Sequence, residues 1–272
     1  MNLREALAAS GLDRLDAQLL LLHVLGRAAQ DRGWLIAHDD DALSPADAQR
    51  YAVLCRRRAD GEPVAYLVGE KEFYGLPLAV DARVLVPRPD TETLVEWALE
   101  VLQGRSAPRI IDLGTGSGAI ALALQQARPD AKVEAIDRSA EALAVASANA
   151  QRLGLPVAFR QADWLEGSNG PYDLVVSNPP YVAAGDPHLP ALKHEPLSAL
   201  VAGADGLDDI RRIAAVTPPL LAPGGWLLLE HGHDQAEAVR ALLAGAGLAQ
   251  AGSRSDLAGI DRCSGGRRLE LG

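Results

Sequence analysis

The chain has 272 residues, 48% hydrophobic and 23% charged, the balance of a globular protein with a real core and not of a disordered or fibrous chain. Acidic residues outnumber basic ones by 36 to 26, for a formal charge of -10, the reverse of the footprint that phosphate-backbone binding leaves. The two cysteines, Cys55 and Cys263, lie far apart without CxxC spacing, which rules out a disulfide framework or a zinc ribbon and leaves reduced thiols.

At this length a single core nears its size limit, so a large domain with a smaller companion is expected. A membrane span needs about 20 apolar residues; the most apolar run, Leu19 to Leu25, is short and broken by His23. Met1-Asn2-Leu3-Arg4-Glu5 opens no secretory signal, so the cytoplasm is the expected address. From Leu3 to Ala59 the pattern is helical, with apolar positions three and four apart through Leu15, Leu19, Leu22 and Leu25. Ser44 ahead of Pro45 is a further helix start, a capping hydroxyl before a proline at the first helical position. Residues 64–80, VAYLVGEKEFYGLPLAV, are rich in aromatic and branched side chains around Gly69 and Gly75 and predict a strand pair.

After Val86-Pro87-Arg88-Pro89-Asp90 the character changes. Strands are predicted at 109–113, 133–137, 157–161, 172–177 and 226–230, and helices near 119–128, 139–153, 207–221 and 235–245. Such alternation predicts an α/β fold, a doubly wound, mostly parallel sheet with helices on both faces. The tail from Leu248 to Leu271 predicts an antiparallel edge hairpin. The expected domains are a helical module over 1–62, a β-hairpin connector over 63–86 and the α/β domain over 87–272.

Ile110-Ile111-Asp112-Leu113-Gly114-Thr115-Gly116-Ser117-Gly118 reads as a strand running into a glycine-rich turn that opens a helix. Glycines permit positive φ and close ligand approach, and the helix start offers unpaired amides, so an adenosine-like ligand is expected there. Gly114, Gly116 and Ala119 also satisfy the loose dinucleotide pattern, so this turn alone leaves the cofactor open. Asp137 ends the next strand, where a carboxylate accepts from both ribose hydroxyls. Asp163-Trp164 follows the third strand, where a carboxylate suits an adenine amino group and an indole covers the ring.

Asn178-Pro179-Pro180-Tyr181 follows the apolar strand Asp173 to Ser177 and faces the same crevice. Consecutive prolines fix φ and remove two donors, leaving an array of acceptors. The Asn178 side-chain oxygen and the Pro179 carbonyl can grip both hydrogens of a planar NH2 group while Tyr181 lies against its π face. Held so, the nitrogen lone pair is aimed at a sulfonium methyl, and positioning with electrostatics carries the displacement without a strong base.

On Pro87-Arg88-Pro89-Asp90-Thr91-Glu92, the glycine turn, Ser177 to Tyr181, Asp186-Pro187-His188-Leu189, Glu195-Pro196, Ala199-Leu200-Val201 and Leu229-Glu230-His231-Gly232, the chain resembles the bacterial peptide chain release factor N5-glutamine methyltransferases over nearly its whole length. The resemblance implies a class I, Rossmann-like enzyme that uses S-adenosyl-L-methionine to methylate the glutamine of the Gly-Gly-Gln motif in release factors 1 and 2. It implies catalytic roles for Asn178, Pro179 and Tyr181, and a substrate grip over Asn178, Pro179, Pro180 and Tyr181. Cofactor contacts are expected at Asp112, Gly114, Thr115, Gly116, Ser117, Gly118, Asp137, Asp163, Trp164 and Asn178, with no metal. The helical module is expected to help grip the release factor, and the enzyme is expected to act as a monomer without direct nucleic-acid contact. Lys193-His194 departs from the aromatic expected before Glu195.

Asn-Pro-Pro-Tyr is shared with enzymes that methylate adenine or cytosine amino groups, which stand as the alternative beside enzymes acting on a ribosomal-protein glutamine. The nucleic-acid alternative asks for a basic face that the charge balance does not provide. His231-Gly232-His233 suggests a metal pair but lacks a third ligand, and Arg56-Arg57-Arg58 reads as the solvated end of a helix. Arg88 and Glu92 are as readily a salt bridge as a ligand contact.

Overall fold

The computed structural model describes residues 1–269. Leu271, the expected end of the tail hairpin, lies outside the described residues. The chain divides into two compact units, one of Met1–Glu70 with Pro190–His194 and one of Lys71–Leu189 with the residues from Glu195 onward.

The first unit holds five helices, α1 (Leu3–Ala9), α2 (Arg14–Val24), α3 (Arg32–Ala37), α4 (Pro45–Ala59) and α5 (Val64–Val68). Their starts are written in the sequence. Asn2 and Glu5 form a reciprocal capping pair, Asp13 accepts from the amides of Leu15 and Asp16, and Ser44 accepts from Asp47 ahead of Pro45. Of the predicted apolar stripe only Leu22 is fully buried, and Leu15 is 48% exposed. Because α2 packs against all four other helices, it buries Leu20 and Leu21 as well, and a single stripe does not describe it. Arg57 bonds Glu62 and Arg58 bonds Asp16 at the end of α4, while Lys193 Nζ lies 3.0 Å from Asp60 within the same unit.

The predicted strand pair over 64–80 is corrected in its first third. Val64–Val68 is a helix, ended by Gly69 at φ 77, where a side chain would be strained. Burial of Ala65 and Leu67 overrides the strand preference of their branched neighbours. The hairpin itself is β1 (Glu70–Phe73) with β2 (Leu76–Ala79).

The second unit continues with α6 (Glu92–Val101), β3 (Arg109–Leu113), α7 (Ala119–Ala127), β4 (Lys132–Asp137), α8 (Ala140–Leu153), β5 (Ala158–Gln161) and β6 (Tyr172–Ser177). It closes with α9 (Asp208–Val216), β7 (Leu221–Glu230), α10 (Ala236–Gly245), β8 (Ala249–Ser255) and β9 (Asp261–Arg267). The strands form one seven-stranded sheet in the order β5-β4-β3-β6-β7-β9-β8, parallel through β7 and then antiparallel. This is the expected doubly wound sheet with its terminal hairpin. The helix predicted over 207–221 stops at Val216, because Pro218 and Pro219 cannot continue it.

Successive side chains of β3 go to opposite cores. Ile110 packs with Leu94, Trp97 and Leu122 of α6 and α7, and Ile111 packs with Ile210, Val239 and Leu243 of α9 and α10. Both faces are therefore covered, which is why these strands are continuous apolar runs without alternation. The sheet reverses direction of growth at β3, with β4 on one side and β6 on the other. Ligands of open α/β sheets bind at the carboxyl ends of strands flanking such a point.

Candidate active site

Leu113, the last residue of β3, is in register with Ile136 of β4 and with Ser177 of β6. The glycine turn, Asp137 and Asn178 therefore leave three adjacent strands at one level. Ser177 Oγ donates to the Leu113 carbonyl at 2.7 Å, and Gly114 and Thr115 N–H donate to the Ile136 carbonyl at 2.8 and 2.9 Å, which fixes the three strand ends together. Buried Asn149 adds a brace, donating from Nδ2 to the Ser117 and Ala79 carbonyls at 3.0 Å.

Gly114, Gly116 and Gly118 all adopt positive φ, at 69, 56 and 86°. They are needed for different reasons. A Cβ on Gly118 would meet Leu122 at 3.0 Å and one on Gly114 would meet the Trp164 ring at 3.4 Å, whereas one on Gly116 would enter open space in the cleft. Asp137 is preorganised, with Oδ2 accepting from Gly116 N–H at 3.0 Å and Oδ1 from Ser139 N–H at 2.9 Å. Each oxygen keeps a further lone pair for a ligand.

The cleft wall brings together Gly114, Thr115, Gly116, Ser117, Asp137, Asp163, Trp164, Asn178 and Pro180 of the predicted residues. Trp164 is half-buried and held at φ 47°, a conformation that costs a bulky residue roughly 1–3 kcal/mol and persists where surroundings enforce it. Asp163 is exposed and already paired to Arg212 at 2.5 Å, so a ligand amine would compete for it. Asp112 lies beneath the wall at 1% exposure, bonded through Oδ2 to Thr115 Oγ1 at 2.6 Å. Burial pushes its carboxyl up to about 7 against the Thr115 bond.

Asn178 Nδ2 donates to Thr91 Oγ1 at 3.2 Å, and its Oδ1 takes no hydrogen bond from the described residues. Pro179 is buried and Tyr181 half-buried, and neither forms part of the cleft wall. The Tyr181 hydroxyl donates to Glu230 Oε1 at 3.2 Å, and burial raises the pKa of both groups, that of Glu230 to about 7. Arg88 is paired, with Glu195 and not Glu92; the Glu195 side chain, 3% exposed, also accepts from Val86 N–H at 3.0 Å. Glu92 instead accepts from Tyr74 N–H at 3.0 Å. Both ring nitrogens of His231 are engaged, by the Gly232 carbonyl and Ser264 Oγ at 2.8 Å.

A family model described as the PrmC N-terminal domain matches residues 2–69, and one described as the methyltransferase small domain matches 91–195. A release factor glutamine methyltransferase of Bordetella pertussis is 54% identical over 97% of this chain and 98% of its own length. One of Escherichia coli is 46% identical over 88% of this chain and 87% of its own length. The chain belongs to the release factor glutamine methyltransferase family.

Solved structures agree on the fold. A methyltransferase from Pyrococcus furiosus superposes with TM-score 0.57 at 18% identity, covering 79% of this chain and 99% of that one. A T. thermophilus 16S rRNA methyltransferase in complex with AdoMet and guanosine gives 0.54 at 20% identity, covering 73% of this chain and 49% of that one. As a member of this methyltransferase family the protein is an enzyme. Sequence reading gave no role to Thr91 or Glu230, which tie the Asn178–Tyr181 turn to α6 and β7. Both stood in motif runs, but separations of 87 and 49 residues hid the pairing.

Proposed function

We propose that the protein transfers a methyl group from S-adenosyl-L-methionine to the side-chain amide nitrogen of the glutamine in the Gly-Gly-Gln motif of release factors 1 and 2, in the cytoplasm. One observation carries this reading. Asn178, with its oxygen unclaimed by the described residues, leaves β6 beside the glycine turn that leaves β3, in a common cleft.

The residues present fit the cofactor. Gly116 leaves room for close approach, Asp137 offers one open lone pair on each oxygen for ribose hydroxyls, and Trp164 offers an aromatic wall. Gly114 to Ser117 would line the rest of the nucleoside, Gly118 packs behind them against Leu122 and Ala146 and not on the cleft wall, and Asp112 would support the turn from below through Thr115. When bound, S-adenosyl-L-methionine supplies a sulfonium methyl, an electrophile that needs no further activation.

The chain supplies orientation. Asn178 Oδ1 and the Pro179 carbonyl accept from the two N–H bonds of the glutamine amide, which turns its lone pair toward the methyl carbon. Transfer to that lone pair would form the N–C bond at the expense of the donor's C–S bond, whose electron pair would stay with sulfur, while Asn178 and Pro179 keep the nitrogen in line. The methylated nitrogen is acidic and releases its proton to water. Fixed acceptors aimed at the nitrogen as it becomes positive stabilise that charge without reorganising. The helical unit, which matches the PrmC N-terminal domain, grips the release factor. Incubation with labelled donor and a release factor, the same factor with its motif glutamine replaced by alanine, or DNA tests the reading. Label in the intact factor alone supports it; label in DNA or in the alanine form overturns it.

A further inference from the structure

The helical unit carries a groove among α1, α2 and α3, formed by two adjoining hollows of about 500 and 420 Å³ that share Arg14, Gln18 and Ile36 in their walls. Gln18 lines both at 7% exposure, and its carboxamide forms no hydrogen bond among the described residues. An amide left unpaired in so buried a place costs roughly 1–3 kcal/mol. Beside it Leu15 and Ile36 stand open at 48 and 62% exposure. Arg14 and Arg32 occupy the rim, both exposed and without an ion pair among the described residues. Arg14 is moreover the first residue of α2, where a cation opposes the helix dipole. The acids next to these arginines in sequence are already engaged: Asp13 by the amides of Leu15 and Asp16, Asp16 by Arg58, and Asp31 by Arg27 at 3.5 Å. Asp39, in the groove wall, pairs with Arg4 at 2.7 Å.

We propose that this groove docks an acidic, apolar-faced segment of the protein substrate, with Gln18 pairing a peptide group of the segment, Leu15 and Ile36 covering its apolar side chains, and Arg14 and Arg32 pairing its carboxylates. The inference rests on the methyltransferase reading above and deepens it by naming the chemistry through which the release factor is recognised. A carboxamide offers a donor and an acceptor, the pair that a peptide group needs. Uncommitted guanidinium groups match carboxylates in a bidentate fork. Stacking of nucleotide bases asks instead for an open aromatic face. The one ring of α3, Trp34, is already stacked with His38 at 4.2 Å and carries the Arg27 guanidinium at 3.5 Å.

An unpaired buried amide and a cation set against a helix dipole both oppose folding, and an acidic segment relieves both when it binds. Because the groove grips the substrate away from the reacting atoms, it holds ground state and transition state alike, so its loss raises KM and leaves kcat. Its charged contacts lie at an exposed rim, so salt screens them.

Calorimetric binding of an unmethylated release factor to the full-length protein, and steady-state methylation of that factor, test this in wild type, in the double variant Arg14→Glu with Arg32→Glu, and in Ile36→Asp and Gln18→Met. In each variant the Kd and KM for the factor rise at least about tenfold, while kcat and the Kd for S-adenosyl-L-methionine stay within about twofold of wild type. Gln18→Met removes the unpaired amide with little change of volume and melts no lower than wild type, so its weaker binding is not a loss of fold. Rising ionic strength weakens binding by wild type and hardly alters that of the double variant. An unchanged KM for the factor in the double variant or in Gln18→Met, losses in kcat as large as those in Kd, or a factor that does not bind the wild type overturns the inference. So does a wild type that dimerises through the groove, seen as a sedimentation shift lost in Ile36→Asp. A wild type that binds the factor through the groove and methylates it nowhere defeats the parent reading instead, whereas equal methylation by wild type and variants leaves that reading standing and defeats this one.

Discussion

Gly116→Ala and Gly154→Ala form a matched pair that separates backbone strain from ligand contact. Gly116 has φ 56° and Gly154, which ends α8, has φ 69°; in both, an added Cβ meets nothing within 4 Å. Alanine in the left-handed region costs roughly 1–2 kcal/mol, so both variants lose about that much stability. With roughly 2–4 °C per kcal/mol for a protein of this size, each melting temperature falls by about 2–8 °C. The pair differs in what the open space is. At Gly116 it is the cleft, and the Asp137 bond to the backbone N–H survives the change, so the methyl group acts only on whatever approaches the turn. Calorimetric titration with S-adenosyl-L-methionine is expected to show at least about a tenfold weaker Kd, roughly 1.4 kcal/mol, in Gly116→Ala and wild-type affinity in Gly154→Ala. Equal affinities in Gly116→Ala and wild type, or equal losses in both variants, would refute the placement of the ligand against Gly116.

Asp137→Ala removes the acceptor of two backbone amides as well as the open lone pairs, and is expected to weaken donor binding by roughly 1–3 kcal/mol while kcat at saturating donor changes little; a loss confined to kcat would count against it. Burial raises Asp112 from 3.8 to about 7, so its favourable contribution to folding is complete below pH 3.8 and disappears as pH rises through 7. Unfolding curves of wild type against Asp112→Asn are therefore expected to show wild type losing relative stability between those values, by at most a few kcal/mol at about 1.4 per unit, and a flat difference would contradict the burial argument. Leu174→Ala, at 0% exposure in the middle of β6, is expected to cost about 2–5 kcal/mol in denaturant unfolding, and less than 1 would mean that this strand is not the packed centre of the sheet.

Much of the α/β unit was legible because its strands are buried on both faces. Residues 109–113 and 172–177 are short apolar runs ended by glycine or by Asn-Pro, and the structure places β3 and β6 on those bounds. The glycine turn was legible because only glycine suits three positive φ angles in five residues. Helix α6 is absent from the elements the sequence predicts, although Leu94, Val95 and Ala98 are fully buried at helical spacing. Its start, Pro89-Asp90-Thr91-Glu92, has the composition of a motif and not of a helix, because Pro89 opens a tight turn that leads into the helix. At Val64–Val68 local composition favours a strand, and the packing of Ala65 and Leu67 decides for a helix. The Asp163 expectation met a competitor, Arg212, that no local pattern announces. The partners of Asn178 and Tyr181 come from elements far along the chain, and only the sheet order brings them together.

Tandem mass spectrometry of a release factor after incubation with the purified protein and S-adenosyl-L-methionine tests most directly whether Asn178 and its neighbours hold a carboxamide against a methyl donor. The expected spectrum carries one added methyl group on the side-chain nitrogen of the Gly-Gly-Gln glutamine, with the modified fraction falling at least about 10²-fold when Asn178→Ala replaces the wild type. A methyl group on another residue, or undiminished modification by Asn178→Ala, would contradict it.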